Sequence, residues 1–227
     1  MVFMEDSERA AQLARDKEVD VGLHLNFTSP FSDRKRQGRL LEYQQRLANF
    51  LLGGRYAQLV FHPGLVNAFE YVVAAQIDEF RRLYCAEPGR IDGHHHMHLC
   101  ANVLLGNLIP SGTIVRRNFS FARDEKTWVN RTYRLWIDRR LKKIYGLVDL
   151  LFPLAPVGQL DRLKKIVEVA QTSVVELETH PVNPDEYRFL STGEIFRQIK
   201  DIQIAPRFLD SRLIEESSMR GISQRRS

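Results

Sequence analysis

Polar and apolar positions along this chain follow two periods. In VDVGLHLNF, residues 19–27, Val19, Val21, Leu23 and Leu25 fall on one side and Asp20, Gly22, His24 and Asn26 on the other, the alternation of a strand. Helical spacing marks residues 5–16, with Ala10, Leu13 and Ala14 on one face, and also residues 40–52 and 66–83. Pro88-Gly89 interrupts the pattern, and a second strand is predicted over residues 91–99. A helix resumes after Ala101, and GTIVRRNF, residues 112–119, is a candidate strand. Residues 131–148 read as a basic amphipathic helix and 158–172 as another. SVVELETH, residues 173–180, is a strand that runs into a loop at HPVNP. GEIFRQIKDI, residues 193–202, is the last helix, and SSMRGISQRRS, residues 217–227, is a frayed tail. Helices alternating with short strands predict an α/β fold in a single domain over residues 1–215, with a disordered tail at 216–227.

Composition narrows the function classes. Hydrophobic residues make up 44% of the 227 positions, enough for a sizeable core. The net charge of +5 gathers in residues 116–143 and after Arg220, with no basic run interleaved with aromatics as in a nucleic-acid motif, so nucleic acid is not an expected partner. Two cysteines, Cys85 and Cys100, make no disulfide framework and suit a reducing cytoplasm. The N-terminal stretch lacks the pattern of a signal peptide. The most apolar stretch, YGLVDLLFPLAPVG, is broken by Asp149 and two prolines, so no transmembrane segment is expected. A soluble, cytoplasmic protein follows as the expectation, with homo-oligomerisation left open.

The candidate chemistry lies in DGHHHMHL, residues 92–99, where four of the seven histidines occupy five positions. Taken as a strand, Asp92, His94, His96 and His98 share one face, and His95 faces the other way. A carboxylate two residues before an imidazole suits a metal site or the groups that orient its ligands. Taken as a helix, His94 and His98 have the spacing of a zincin-type pair, but the required glutamate is absent. The alternative is a polar strand end whose histidines are solvated or buried in the core. His24, on the polar face of its strand, and His180, at the end of ELETHP, repeat the arrangement. In α/β sheets and barrels the C-terminal strand ends carry the chemistry. His62 also precedes a proline and carries no assigned role.

Taken together, VGLHLNFT, GRIDGHHHMHL and VELETHP resemble three internal motifs of the YdjC-like family of carbohydrate deacetylases, in the same order. AAQIDEF, residues 74–80, is similar to the family's helix before the second motif, and IVRR at 114–117 is loosely similar to a strand carrying an arginine. The resemblance covers residues 1 to about 200. It implies a distorted (β/α) barrel and a divalent metal, magnesium or zinc, held by an aspartate and two histidines. It places His24 and His94 as metal ligands and His180 as a catalytic acid for the leaving amine. The substrate it implies is an acetylated amino sugar or oligosaccharide.

Family members usually open with a strand ending in two adjacent aspartates, and no Asp-Asp pair occurs here. The expectation is therefore a barrel lacking its first strand and helix, and an impaired hydrolase. Asp92 is the candidate catalytic carboxylate, able to orient His94 or assist with the water proton. The competing reading is a non-catalytic remnant that binds a sugar or a metal. A phosphohydrolase of another family would want further acidic ligands or phosphate-binding glycines, and no such loop is found.

Overall fold

The computed structural model describes residues 1–33, 38–54, 56–120, 128–199, 204, 205 and 207. The expected tail at 216–227 and the end of the expected last helix lie outside the described residues. The chain divides into two compact units, Met1–Val115 and Arg116–Ser227.

The first unit is built on three parallel strands, β1 (Leu23–Leu25), β2 (Arg90–Gly93) and β3 (Ile114–Val115), in the order β1-β2-β3. Helices α1 (Ser7–Asp16), α2 (Arg39–Leu52), α3 (Val66–Tyr84) and α4 (Ala101–Gly106) come from the same half of the chain. Parallel strands need crossover connections, and the helices provide them. Leu23 and Leu25 are buried while His24 between them is partly exposed, so the predicted alternation holds over the three residues of β1. The long helix α3 buries Phe69, Val72, Val73, Ile77 and Phe80, a stripe at helical spacing that packs on the sheet.

Within that stripe sits a fully buried polar side chain, Gln76. Its Oε1 accepts from the backbone N–H of Asn26 at 2.8 Å, and its Nε2 donates to the Asn26 carbonyl at 3.2 Å. Both backbone groups just past β1 are thereby satisfied without a neighbouring strand.

The second unit carries β4 (Leu150–Pro153) and β5 (Val175–Glu178) as a parallel pair, with α5 (Trp128–Lys142), α6 (Leu160–Ala170), α7 (Pro184–Ser191) and α8 (Glu194–Gln198). Leu154, Leu163, Val167, Phe189, Ile195 and Ile199 form its core cluster. Asn183 caps α7 by accepting from the Asp185 N–H, and Pro184 takes the first helical turn.

The α/β character is as expected. Four local expectations are corrected. The strand predicted over 91–99 stops at Gly93, and residues His94–Leu99 form tight turns kinked at His95 and His96. The buried face of α1 is Ser7 and Ala11, whereas Ala10 and Leu13 are exposed. The loop expected from HPVNP onward becomes α7 after one turn, and β4 was not anticipated.

Candidate functional site

His24 and Asp92 face each other on adjacent strands, at one rung of the β1–β2 pairing. His24 Nδ1 lies 2.8 Å from Asp92 Oδ1. The carboxylate's other oxygen is 3.8 Å from the Arg90 guanidinium. An ionised carboxylate only accepts, so Nδ1 is the donor, and in the neutral ring Nε2 carries the lone pair. Asp92 therefore orients His24, whereas strand phase alone had pointed it toward His94.

His94 follows β2 directly. Its ring stands 5.8 Å from that of His24, centroid to centroid, at 71°. Burial holds its pKa below the ordinary histidine value, helped by the neighbouring His95 and His24 rings and the amino terminus. The imidazole is thus kept neutral, the form that binds a metal.

The turn after His94 departs from the predicted alternation. His95 and His96 both have positive φ, 53° and 57°. Such a conformation costs of order 1 kcal/mol or more for a residue with a side chain. His95 was expected to face away, yet its ring stacks on His94 at 3.9 Å and its Nδ1 lies 3.2 Å from Thr28 Oγ1. Gly93 explains the tight path: a Cβ there would lie 2.8 Å from the His98 backbone nitrogen and 2.9 Å from the His98 Cβ. His98 is fully buried.

Thr28 is held by an Asx turn. Asn26 Oδ1 accepts from the N–H groups of Thr28 at 3.2 Å and Ser29 at 2.9 Å, and Asn26 Nδ2 donates to the Ser29 carbonyl at 2.8 Å. Asn26, Thr28 and Gln76 thus fix the loop beside the histidines. They escaped the sequence reading, although Asn two residues after a strand histidine is a turn signal. Thr28 also borders an open cleft of ≈ 570 Å³, walled by Pro30, Gln45, Asn49 and Leu52. Gln45 and Asn49, two of its lining residues, hydrogen-bond to each other, and among the described residues no charged side chain lines it.

In the second unit His180 is exposed. Its N–H donates to the buried Glu186 carboxylate at 2.7 Å, and its carbonyl accepts from the Asn183 N–H at 2.8 Å. Both backbone groups of His180 are thereby satisfied. A buried ion cluster lies nearby on the same sheet, with Arg116 reaching Glu176 at 2.7 Å and Glu178 at 2.6 Å. His62, unassigned from sequence, has a structural place: its N–H and carbonyl both bond the Asn102 side chain, and its ring meets Phe50 edge-on.

The model of one family, described as YdjC-like protein, matches residues 1–205. The chain belongs to the YdjC-like family. That match takes in His24, Asp92, His94 and His180 and runs through both units. No curated protein matches the chain, and no solved structure does.

The donor set of this YdjC-like protein fits a divalent metal in part. His24 Nε2 is free of its carboxylate partner, and the neutral His94 ring is adjacent. Two imidazoles bonded at roughly 2.0–2.1 Å each can span rings set this far apart. Among the described residues, however, no three His, Cys, Asp or Glu side chains converge as a metal site. Asp92 is engaged as the orienting carboxylate of His24. Among the described residues the two imidazoles are fewer than the three protein ligands usual for a catalytic ion.

Proposed function

We propose that this chain is a metal-dependent carbohydrate deacetylase, removing the acetyl group from an acetylated amino sugar or short glycan, and that its activity is weak with the ligands described. The observation that carries the proposal is the Asp92–His24 pair beside a His94 kept neutral by burial, within a YdjC-like match. A carboxylate behind a histidine is the usual way a protein fixes a ligating imidazole. His24 and His94 would hold the ion. A bound divalent ion supplies a Lewis acid for the amide carbonyl and a water of lowered pKa.

The chain's own residues take the remaining roles. Asp92 holds the His24 tautomer. His180 is the proposed donor of the proton to the departing amine. The cleft beside Thr28 offers hydroxyl and carboxamide groups over apolar walls, chemistry that suits an uncharged sugar. The family match over residues 1–205 supports a fold of the family's distorted-barrel type.

A second reading is favoured by the incomplete ligand set: a non-catalytic protein that binds a sugar or a metal. Two neutral imidazoles lower the electrostatic cost of holding a dication less than a carboxylate does. The deciding measurement is acetate release from short N-acetylglucosamine oligomers, with and without added zinc or magnesium. Slow, metal-stimulated release that His94→Ala abolishes supports the deacetylase. Zinc binding lost in His94→Ala, with no release at any metal concentration, supports the binding protein.

A further inference from the structure

Helix α5 turns both of the chain's tryptophans toward solvent. Trp128 is 75% exposed and Trp136 53%, with Leu135 between them at 50%. The remaining exposed positions toward the helix end are Arg139 and Lys142, followed by Lys143 just beyond it. At 3.6 residues per turn these six side chains fall within an arc of about 120°. Ile137 and Leu141, on the opposite side, are buried at 2% and 0%. The orientation of the helix is therefore fixed by its own core face, and the aromatic stripe is what that orientation leaves outside.

Scattered exposed apolar residues are ordinary, but two indoles and a leucine in one stripe form a patch that marks an interaction surface. Its charge selects the occupant. Asp138 is the helix's one acidic residue, and it is bound to Arg117 and Asn118 off the stripe. The arc thus carries three cations and no anion. A second copy of this chain would bring three cations against three, which opposes a self-complementary contact. A nucleic acid would satisfy the cations and stack on the indoles but leaves no role for Leu135. An anionic lipid surface satisfies all of them. Indole favours the headgroup level, leucine the acyl boundary beneath, and the basic residues the phosphate plane.

We infer that α5 is a peripheral membrane-docking helix that lies in the plane of an anionic bilayer surface. Spanning is excluded by length: α5 has 15 residues, about 22 Å, against a hydrocarbon core of about 30 Å. No helix among the described residues is long and apolar enough to cross a membrane. The inference is independent of the deacetylase reading.

Because Trp128 and Trp136 are the chain's only tryptophans, indole fluorescence reports on this face alone. The full chain is titrated with phosphatidylcholine vesicles, with and without phosphatidylglycerol, and co-sedimentation is measured in parallel. The expected result is a shift of emission to shorter wavelength and co-sedimentation on the anionic vesicles only, both weakened by salt. Removing one cation, as in Arg139→Gln, should weaken binding about fivefold. Trp136→Ser should weaken it more, with an unchanged far-ultraviolet dichroism spectrum showing that the exposed substitution leaves the fold intact. No shift on anionic vesicles overturns the proposal. So does equal binding to neutral vesicles, or binding that survives Trp136→Ser undiminished. A shift that grows with protein concentration alone, with a doubled mass in light scattering, assigns the face to a second copy and also overturns it.

Discussion

His24 Nδ1 and Asp92 Oδ1 meet at 2.8 Å across one rung of two parallel strands, 68 residues apart in sequence. The rung sets a chemical state as well as a position. With Nδ1 donating to the carboxylate, the lone pair of the ring sits on Nε2 and points away from Asp92. Arg90, at 3.8 Å from the other carboxylate oxygen, keeps a positive charge near Asp92.

Asp92→Asn tests that relationship. The amide is nearly isosteric but presents an N–H where a carboxylate oxygen stood, so either the His24 tautomer or the amide orientation must change. Loss of an orienting carboxylate typically costs 10- to 100-fold in metal affinity, so zinc binding should weaken by about that factor. Calorimetric titration with zinc measures it. Unchanged affinity would show that Asp92 does not control the ring.

Gly93→Ala tests the turn that delivers His94. The new Cβ would stand 2.8 Å from the His98 backbone nitrogen, and backbone cannot swing aside as a side-chain tip can. Overpacking of this kind costs about 1–3 kcal/mol. Urea unfolding should show that loss, together with weakened metal binding as the 94–98 turn is displaced.

The legibility of these features in the sequence follows from their range. β1 could be read because one face is buried and the other is not, leaving a period of two around His24. The end of β2 could not, because it is set by the close approach of Gly93 to His98, and the same alternating letters continue through a turn with two positive-φ histidines. Residue types placed His24 and His94 together as candidates, and the structure sets their rings side by side. The partner of Asp92 depended on strand register, which no local pattern carries. β4 is a short apolar run without alternation, ending at Pro153, and α7 hid behind prolines that signal a loop, although Asn183-Pro184 is equally a helix start.

In the second unit, Arg116 is held against Glu176 and Glu178, and all three side chains are about one-tenth exposed or less. Arg116→Ala would leave two buried carboxylates without their cation, at a cost of about 3–5 kcal/mol. Urea unfolding of both proteins measures the loss, and a difference below about 1 kcal/mol would show that this ion cluster does not stabilise the sheet.

The two cysteines should separate by reactivity. Cys85 is exposed, while burial pushes the Cys100 thiol up to about 12. The thiolate is the reactive form, so a native-state thiol titration at neutral pH should modify Cys85 alone, and Cys100 only after denaturant is added. The same shift fixes a pH dependence. Cys100 ionises in the unfolded chain near its ordinary value of 9.0 but in the folded protein only at about 12. Between those values the folded state binds more protons than the unfolded one, so stability falls as pH rises. The contribution is fully present below about pH 9 and is lost progressively as pH climbs toward 12. Cys100→Ala removes the thiol and should flatten that decline relative to the parent protein, beyond a constant loss from the vacated volume. An identical alkaline slope in the two proteins would show that Cys100 is not the group responsible.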